Sequence, residues 1–280
     1  MVDYFALKEN KTTVLTEVVA GISSFLATAY IIVVNPSILS QAGMPFSGVL
    51  TATVIVCFFS SPMMGLYANP WIQGFTTNPT LMRKAGITDY EAFARDIVAS
   101  IPDRPISLEV FADEFDEMER QARMIATWGE NVYAKIPVTN TRREPALDLI
   151  CRLSRSGVKL NVTALMTLDQ VRSVSAALAG GAPSCVSVFA GRIADTGKDP
   201  VPMMAAAVEM VSIHPGMELI WASPRELLNV FQADSIGCHI ITATPDILNK
   251  LTLVGKDLHD YSLDTVQMFY NDALKSGFAL

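Results

Sequence analysis

Between Val18 and Met82 the sequence carries no Asp, Glu, Lys, Arg or His, whereas beyond Arg83 a charge arrives every few residues. A run of that length without charge excludes an ordinary solvated surface and marks a change of surroundings partway along the chain. Other absences narrow the chemistry. No GxGxxG and no GxxxxGK[ST] occurs, so neither a dinucleotide fold nor a P-loop has support. The four cysteines, Cys57, Cys151, Cys185 and Cys238, form no CxxC and lie in apolar runs, as small core residues of a reducing compartment do. The three histidines, His214, His239 and His259, show no ligand spacing, which speaks against a structural metal. No Lys/Arg-rich block is present and the net charge is −7, so a nucleic-acid partner is not expected.

What is present begins with a 280-residue chain, 50% hydrophobic, large enough for one α/β barrel or two smaller domains. The charge-free stretch holds an apolar span from Val18 to Val34, a break at Asn35-Pro36, and a second span from Val49 to about Tyr67. Each approaches the roughly 20 residues that cross a bilayer as a helix. A membrane-associated hairpin over residues 18–67 is one expectation, and a buried helical hairpin of a soluble protein is the other. Thr16-Glu17-Val18-Val19-Ala20-Gly21, Ala29-Tyr30-Ile31, Val34-Asn35-Pro36-Ser37-Ile38-Leu39 and Ala42-Gly43-Met44-Pro45-Phe46 resemble the start of bacterial adenine/guanine/hypoxanthine permeases. The likeness runs from about residue 4 to 69. Two spans cannot form a transport path, so no transport residue is carried over.

From Trp71 onward short apolar strands alternate with amphipathic helices. Strands are expected near Gly74–Thr76, Pro105–Val110, Val132–Ile136, Val158–Val162, Ser184–Phe189, Glu218–Ala222 and Gly237–Ile241. Helices are expected near Thr88–Ser100, Asp113–Thr127, Glu144–Ser156, Leu168–Ala179, Pro202–Ser212, Pro224–Gln232, Pro245–Lys250 and Ser262–Lys275. Seven βα units describe a parallel sheet, and so many short strands suggest a (β/α)₈ barrel of the TIM type with one unit missing.

The strand Val132-Tyr133-Ala134-Lys135-Ile136 places a lysine among apolar residues. Burial disfavours an ammonium and lowers its pKa from about 10.4, which frees an amine to attack a carbonyl carbon. The alternative is a lysine whose stem snorkels to the rim. Active residues of such barrels project from the C-terminal ends of strands. Here those ends supply Thr76-Thr77-Asn78, Glu109, Lys135, Asn161 and Thr163, Ser187 and Arg192, and Ser223 and Arg225. A central lysine ringed by a carboxylate, amides, hydroxyls and two arginines reads as a Schiff-base site with an anion clamp.

Six blocks carry a resemblance: Gly74-Phe75-Thr76-Thr77-Asn78-Pro79-Thr80-Leu81, Ile106-Ser107-Leu108-Glu109-Val110, Lys135-Ile136-Pro137-Val138-Thr139, Leu160-Asn161-Val162-Thr163, Ser187-Val188-Phe189-Ala190-Gly191-Arg192-Ile193 and Ala222-Ser223-Pro224-Arg225. Residues 73–280 resemble the transaldolase family in the compact form shared with fructose-6-phosphate aldolases. The resemblance implies that Lys135 forms a Schiff base with a ketose, that Asn78, Asn161 and Ser187 hold the donor, and that Glu109 and Thr163 position a proton-relaying water. Arg192, Ser223 and Arg225 would grip a substrate phosphate, a task suited to the guanidinium fork. Phe189 and Glu109 match transaldolases better than the compact aldolases, which tend to have Tyr and Gln there. Chain length points the other way. No cofactor and no metal is implied. A phosphorylated sugar, a homo-oligomer and a cytoplasmic barrel are expected.

One departure matters. The family's first strand carries an aspartate that serves as acid/base in carbon–carbon cleavage, and this chain has neither that strand nor room for it between Tyr67 and Gly74. The expected organisation is a permease-like apolar hairpin over residues 1–69 and an incomplete barrel over 70–280. Its function is either dihydroxyacetone transfer with impaired chemistry, fructose-6-phosphate-type aldol cleavage, or no catalysis at all in a chimera, natural or artefactual.

Overall fold

The computed structural model describes residues 72–84 and 86–277. The apolar hairpin and the permease resemblance, residues 4–69, fall outside them. Gly74–Leu280 form one compact unit. Its strands are β1 (Phe75–Thr76), β2 (Ile106–Glu109), β3 (Val132–Pro137), β4 (Leu160–Leu165), β5 (Ser184–Val188), β6 (Met217–Trp221) and β7 (Ile240–Ile241). They form one sheet in the order β1 to β7, every neighbouring pair parallel. A sequential all-parallel order with intervening helices fits the TIM-type plan. Among the described residues no strand joins β1 to β7.

The helices are α1 (Pro79–Lys84), α2 (Tyr90–Ser100), α3 (Phe115–Ala126), α4 (Leu147–Arg155), α5 (Leu168–Leu178), α6 (Ala190–Ala194), α7 (Val201–Ser212), α8 (Leu228–Ser235), α9 (Pro245–Asn249) and α10 (Leu258–Ser276). Helices α3, α4, α5, α7 and α8 pack side by side in chain order, so that α3 covers β3 and α7 covers β6. The core lies between them and the sheet. Leu108, Ala134, Ile136, Leu160, Val186 and Leu219 face Met118, Leu149, Ile150, Val171, Val174 and Met204, all of them buried. Each helix buries one stripe: in α4 it is Leu149, Ile150 and Leu153, three and four apart, with Arg152 and Arg155 turned to water.

Strand β3 alternates buried and half-buried residues along its length. Val132, Ala134 and Ile136 go under the helices, and Tyr133, Lys135 and Pro137 go to the other face. Register extends that second face across the sheet. Glu109 pairs with Lys135, Lys135 with Asn161, Asn161 with Cys185 and Cys185 with Glu218, so five strands contribute one row.

All seven expected strands are present, with shifted ends. The fourth is longer than expected: Ala164 takes φ +67°, the register shifts between Val162 and Leu165, and the strand resumes. The last is shorter, because Gly237 (φ +70°) closes the preceding turn and the His239 ring, through Nδ1, accepts the Leu219 N–H at 3.1 Å, capping the strand's start. The helix expected from Pro224 starts at Leu228, since the Asn229 carbonyl Oδ1 holds the N–H groups of Arg225 and Glu226 in a loop (2.8 and 3.2 Å). The last helix starts earlier than expected, at Leu258, where the Asp257 carboxylate accepts the N–H groups of His259 and Asp260. Helices α1 and α6 were not anticipated; each follows a strand with almost no linker.

Candidate active site

In the row Glu109, Lys135, Asn161, Glu109 ends β2, Lys135 lies in the C-terminal half of β3 and Asn161 is the second residue of β4. Lys135 and Glu109 form a buried ion pair, Nζ to Oε1 2.8 Å, with side chains 11% and 9% exposed. The ammonium also donates to the Thr77 carbonyl at 2.9 Å and to Thr76 Oγ1 at 3.4 Å. The apolar residues on either side of Lys135 in sequence therefore do not form its surroundings. A period of two turns them to the helix side, and the amine meets three oxygens instead.

Glu109 is held from several directions. Thr77 Oγ1 donates toward its Oε2 at 3.4 Å, and its own N–H donates to the Tyr90 hydroxyl at 2.8 Å. Burial pushes its carboxyl above the usual carboxylate range, and the nearby Lys135 charge and hydrogen bonds only partly offset this. Such a carboxylate is a better proton acceptor than an exposed one. Burial raises the Tyr90 hydroxyl as well, so it stays protonated at neutral pH.

Next along the row is a hydroxyl–amide chain: Ser187 Oγ donates to Asn161 Oδ1 at 2.6 Å, and Asn161 Nδ2 donates to Ser107 Oγ at 2.9 Å. All three side chains are buried. Two residues beyond Asn161, the Thr163 hydroxyl is buried and has no protein partner. A buried hydroxyl in that condition is a seat for water or a substrate oxygen.

The third part of the site lies where β5 and β6 end. Helix α6 starts directly after β5, and Gly191 in its first turn lies against the β6 end, its N–H donating to Ala222 O at 3.4 Å. A Cβ on Gly191 would fall 1.6 Å from the Ser223 carbonyl oxygen, so no other residue fits without backbone movement. Ser223 itself has φ +57°. Arg192, exposed, lies 5.6 Å from the Phe189 ring centre. Arg225 donates through Nε to Asp195 Oδ1 at 3.1 Å, and its Nη2 pairs with Asp195 Oδ2. Asn78 opens α1, its carbonyl accepting the Met82 N–H at 3.0 Å.

Thus the anticipated residues fall into groups: Lys135 with Glu109, Asn161 with Ser187, and the Phe189–Arg192 and Ser223–Arg225 segments meeting through Gly191. Residues not anticipated include Ser107, Thr77 in its contact with Glu109, Tyr90 and Asp195. Ser107 was legible, since it stands two before Glu109 on a strand. Asp195 and Tyr90 lie on helix termini and carried no signal.

Residues 62–279 match the model of the family Transaldolase/Fructose-6-phosphate aldolase. The chain belongs to the transaldolase/fructose-6-phosphate aldolase family. A probable transaldolase of Dehalococcoides mccartyi is 38% identical over 184 residues, 64% of this chain and 80% of the relative. One from Methanococcus maripaludis strain C7 is 34% identical over 181 residues, again 64% and 80%. A probable transaldolase 2 of Listeria monocytogenes is 36% identical over 182 residues, 64% and 78%. This is a transaldolase-like enzyme, and its seven parallel strands fit the TIM-type plan. Among the described residues no helix is long and apolar enough to cross a membrane, and no group of His, Cys, Asp and Glu has the arrangement of a metal site.

Proposed function

We propose that this chain catalyses Schiff-base chemistry on phosphorylated ketoses, with dihydroxyacetone transfer as the reaction and Lys135 as the covalent residue. The observation that carries the reading is the buried Lys135–Glu109 pair at 2.8 Å. An amine can attack a carbonyl only after losing its proton, and Glu109, with its raised affinity for protons, stands where that proton can go. The amine nitrogen then bonds to the ketose carbonyl carbon. Glu109 returns the proton to the carbinolamine oxygen, water departs, and an iminium on Lys135 remains.

Thr163 and Glu109 would hold the water between them. The Asn161–Ser187 pair, with Asn78 at the mouth, would receive the donor hydroxyls, and Phe189 would line the phosphate side. Arg192, Ser223 and Arg225 would take the phosphate, whose charge would compete with Asp195 for the Arg225 fork. Barrel and apolar hairpin divide near residue 70 in this reading. Self-association belongs to it too: α10 buries none of its residues, and Leu263, Val266, Phe269 and Leu274 are all more than half exposed.

Carbon–carbon cleavage also needs a base for the departing hydroxyl proton. Among the described residues Glu109 is the one carboxylate paired with Lys135. This favours a second reading beside the first, in which the iminium forms and cleavage is slow. Borohydride reduction with fructose 6-phosphate, followed by peptide mapping, tests the shared step. Label on Lys135, absent in Lys135→Ala, is expected; label on Lys159 would refute the assignment.

A further inference from the structure

We infer that Tyr90, on α2 and outside every motif of the family resemblance, is a positioning residue that sets the Lys135–Glu109 pair by breaking the β1–β2 ladder at its last rung. The ladder runs from Phe75 N–H to the Pro105 carbonyl (2.8 Å) and from Thr77 N–H to the Ser107 carbonyl (3.1 Å). The next rung of a parallel pair would join the Glu109 N–H to the Thr77 carbonyl. It is not made. The Glu109 N–H goes to the Tyr90 hydroxyl at 2.8 Å, and the Thr77 carbonyl goes to Lys135 Nζ at 2.9 Å. One hydroxyl thus releases a backbone acceptor for the amine.

The same hydroxyl reaches the carboxylate by a second route. Tyr90 is hydrogen-bonded to Thr77, and Thr77 Oγ1 lies 3.4 Å from Glu109 Oε2 and 3.2 Å from the Ser107 carbonyl. Tyr90 therefore touches both ends of Glu109, the backbone directly and the carboxylate through Thr77. Its ring is fixed by the edge of Phe111, 4.6 Å between centroids at 82°, and by Trp128 at 6.3 Å. Nothing in this arrangement places Tyr90 in contact with substrate.

Tyr90→Phe keeps the ring and deletes the oxygen. The Glu109 N–H then has only the Thr77 carbonyl to turn to, which draws that carbonyl from Lys135. The inference rests on the reading of Lys135 as the covalent amine, so two readouts are taken on the full chain. The first is the rate of borohydride trapping by fructose 6-phosphate, expected to fall about tenfold with little change in the saturating concentration, the size that follows from one lost hydrogen bond to a buried partner. Because the Glu109 N–H is a backbone group, the part of the loss that runs through the Thr77 carbonyl is expected to persist in a Glu109→Gln background. The second, independent of turnover, is the Glu109 side-chain carboxyl titration by carbon NMR, expected to move upward in Tyr90→Phe. If the parent chain fails to trap, the function reading fails and the titration alone decides the role of Tyr90. If Tyr90→Phe does not fold, 3-fluorotyrosine at position 90, a stronger donor of the same shape, is expected to move the titration downward. An unmoved titration overturns the inference, as does a trapping rate in Tyr90→Phe equal to that of the parent chain.

Discussion

At the scale of single residues, the raised carboxyl of Glu109 gives the chain a signature in pH. Glu109 accepts the Lys135 proton only when ionised, so trapping should decline as the pH falls through a value above the ordinary carboxylate range. Glu109→Gln should lose that limb and react about 10²–10⁴-fold more slowly, the usual worth of acid–base assistance. Stability carries the opposite sign. The native chain holds this proton more tightly than the unfolded one, so between the unfolded and the raised value Glu109 withdraws stability as the pH rises. A pH profile of trapping in the two proteins checks both the limb and its loss; an unchanged profile in Glu109→Gln would remove Glu109 from the chemistry. Much of this pair was legible in sequence, because Lys135 and Glu109 stand at strand ends in a recognisable pattern. The oxygens around Nζ were not, since Thr77 contributes its backbone and a carbonyl acceptor leaves no trace in residue type.

At the scale of elements, strands were easier to read than their neighbours. Apolar runs of four to six residues bounded by turn residues located β2 to β6, and the stripe of Leu149, Ile150 and Leu153 located α4. The short helices α1 and α6 escaped, five and six residues being too few to show a period. Helix α6 is nonetheless where the β5 and β6 ends are brought together, and Gly191 is the reason they can meet. Gly191→Ala is expected to push the Ser223 carbonyl away, destabilise the chain by about 1–3 kcal/mol and loosen phosphorylated substrates more than unphosphorylated dihydroxyacetone. Thermal melting and the saturation of trapping by each ketose check it. Equal weakening for both ketoses would mean that this corner does not face the phosphate.

At the scale of the molecule, seven parallel strands in sequential order follow from seven βα units, and that much of the architecture was in the sequence. What surrounds the barrel was not, because exposure of an apolar residue depends on tertiary partners. Helix α10 shows this. Its apolar residues would serve equally as core or as an interface, and in the chain they are open to solvent. Light scattering of the full chain and of one ended at Lys256 should give a larger assembly for the first and a smaller one for the second; equal masses per particle would contradict self-association through α10.

The account turns on a covalent bond at Lys135 and on whether carbon–carbon cleavage follows it. Mass spectrometry of the full chain, reduced with borohydride after brief exposure to fructose 6-phosphate, reads both parts together. The account predicts one adduct per chain, on Lys135, carrying three carbons where dihydroxyacetone transfer runs and the whole six-carbon ketose phosphate where cleavage is slow. A three-carbon adduct on Lys135 would contradict slow cleavage, and the absence of any adduct there would contradict the account at its centre.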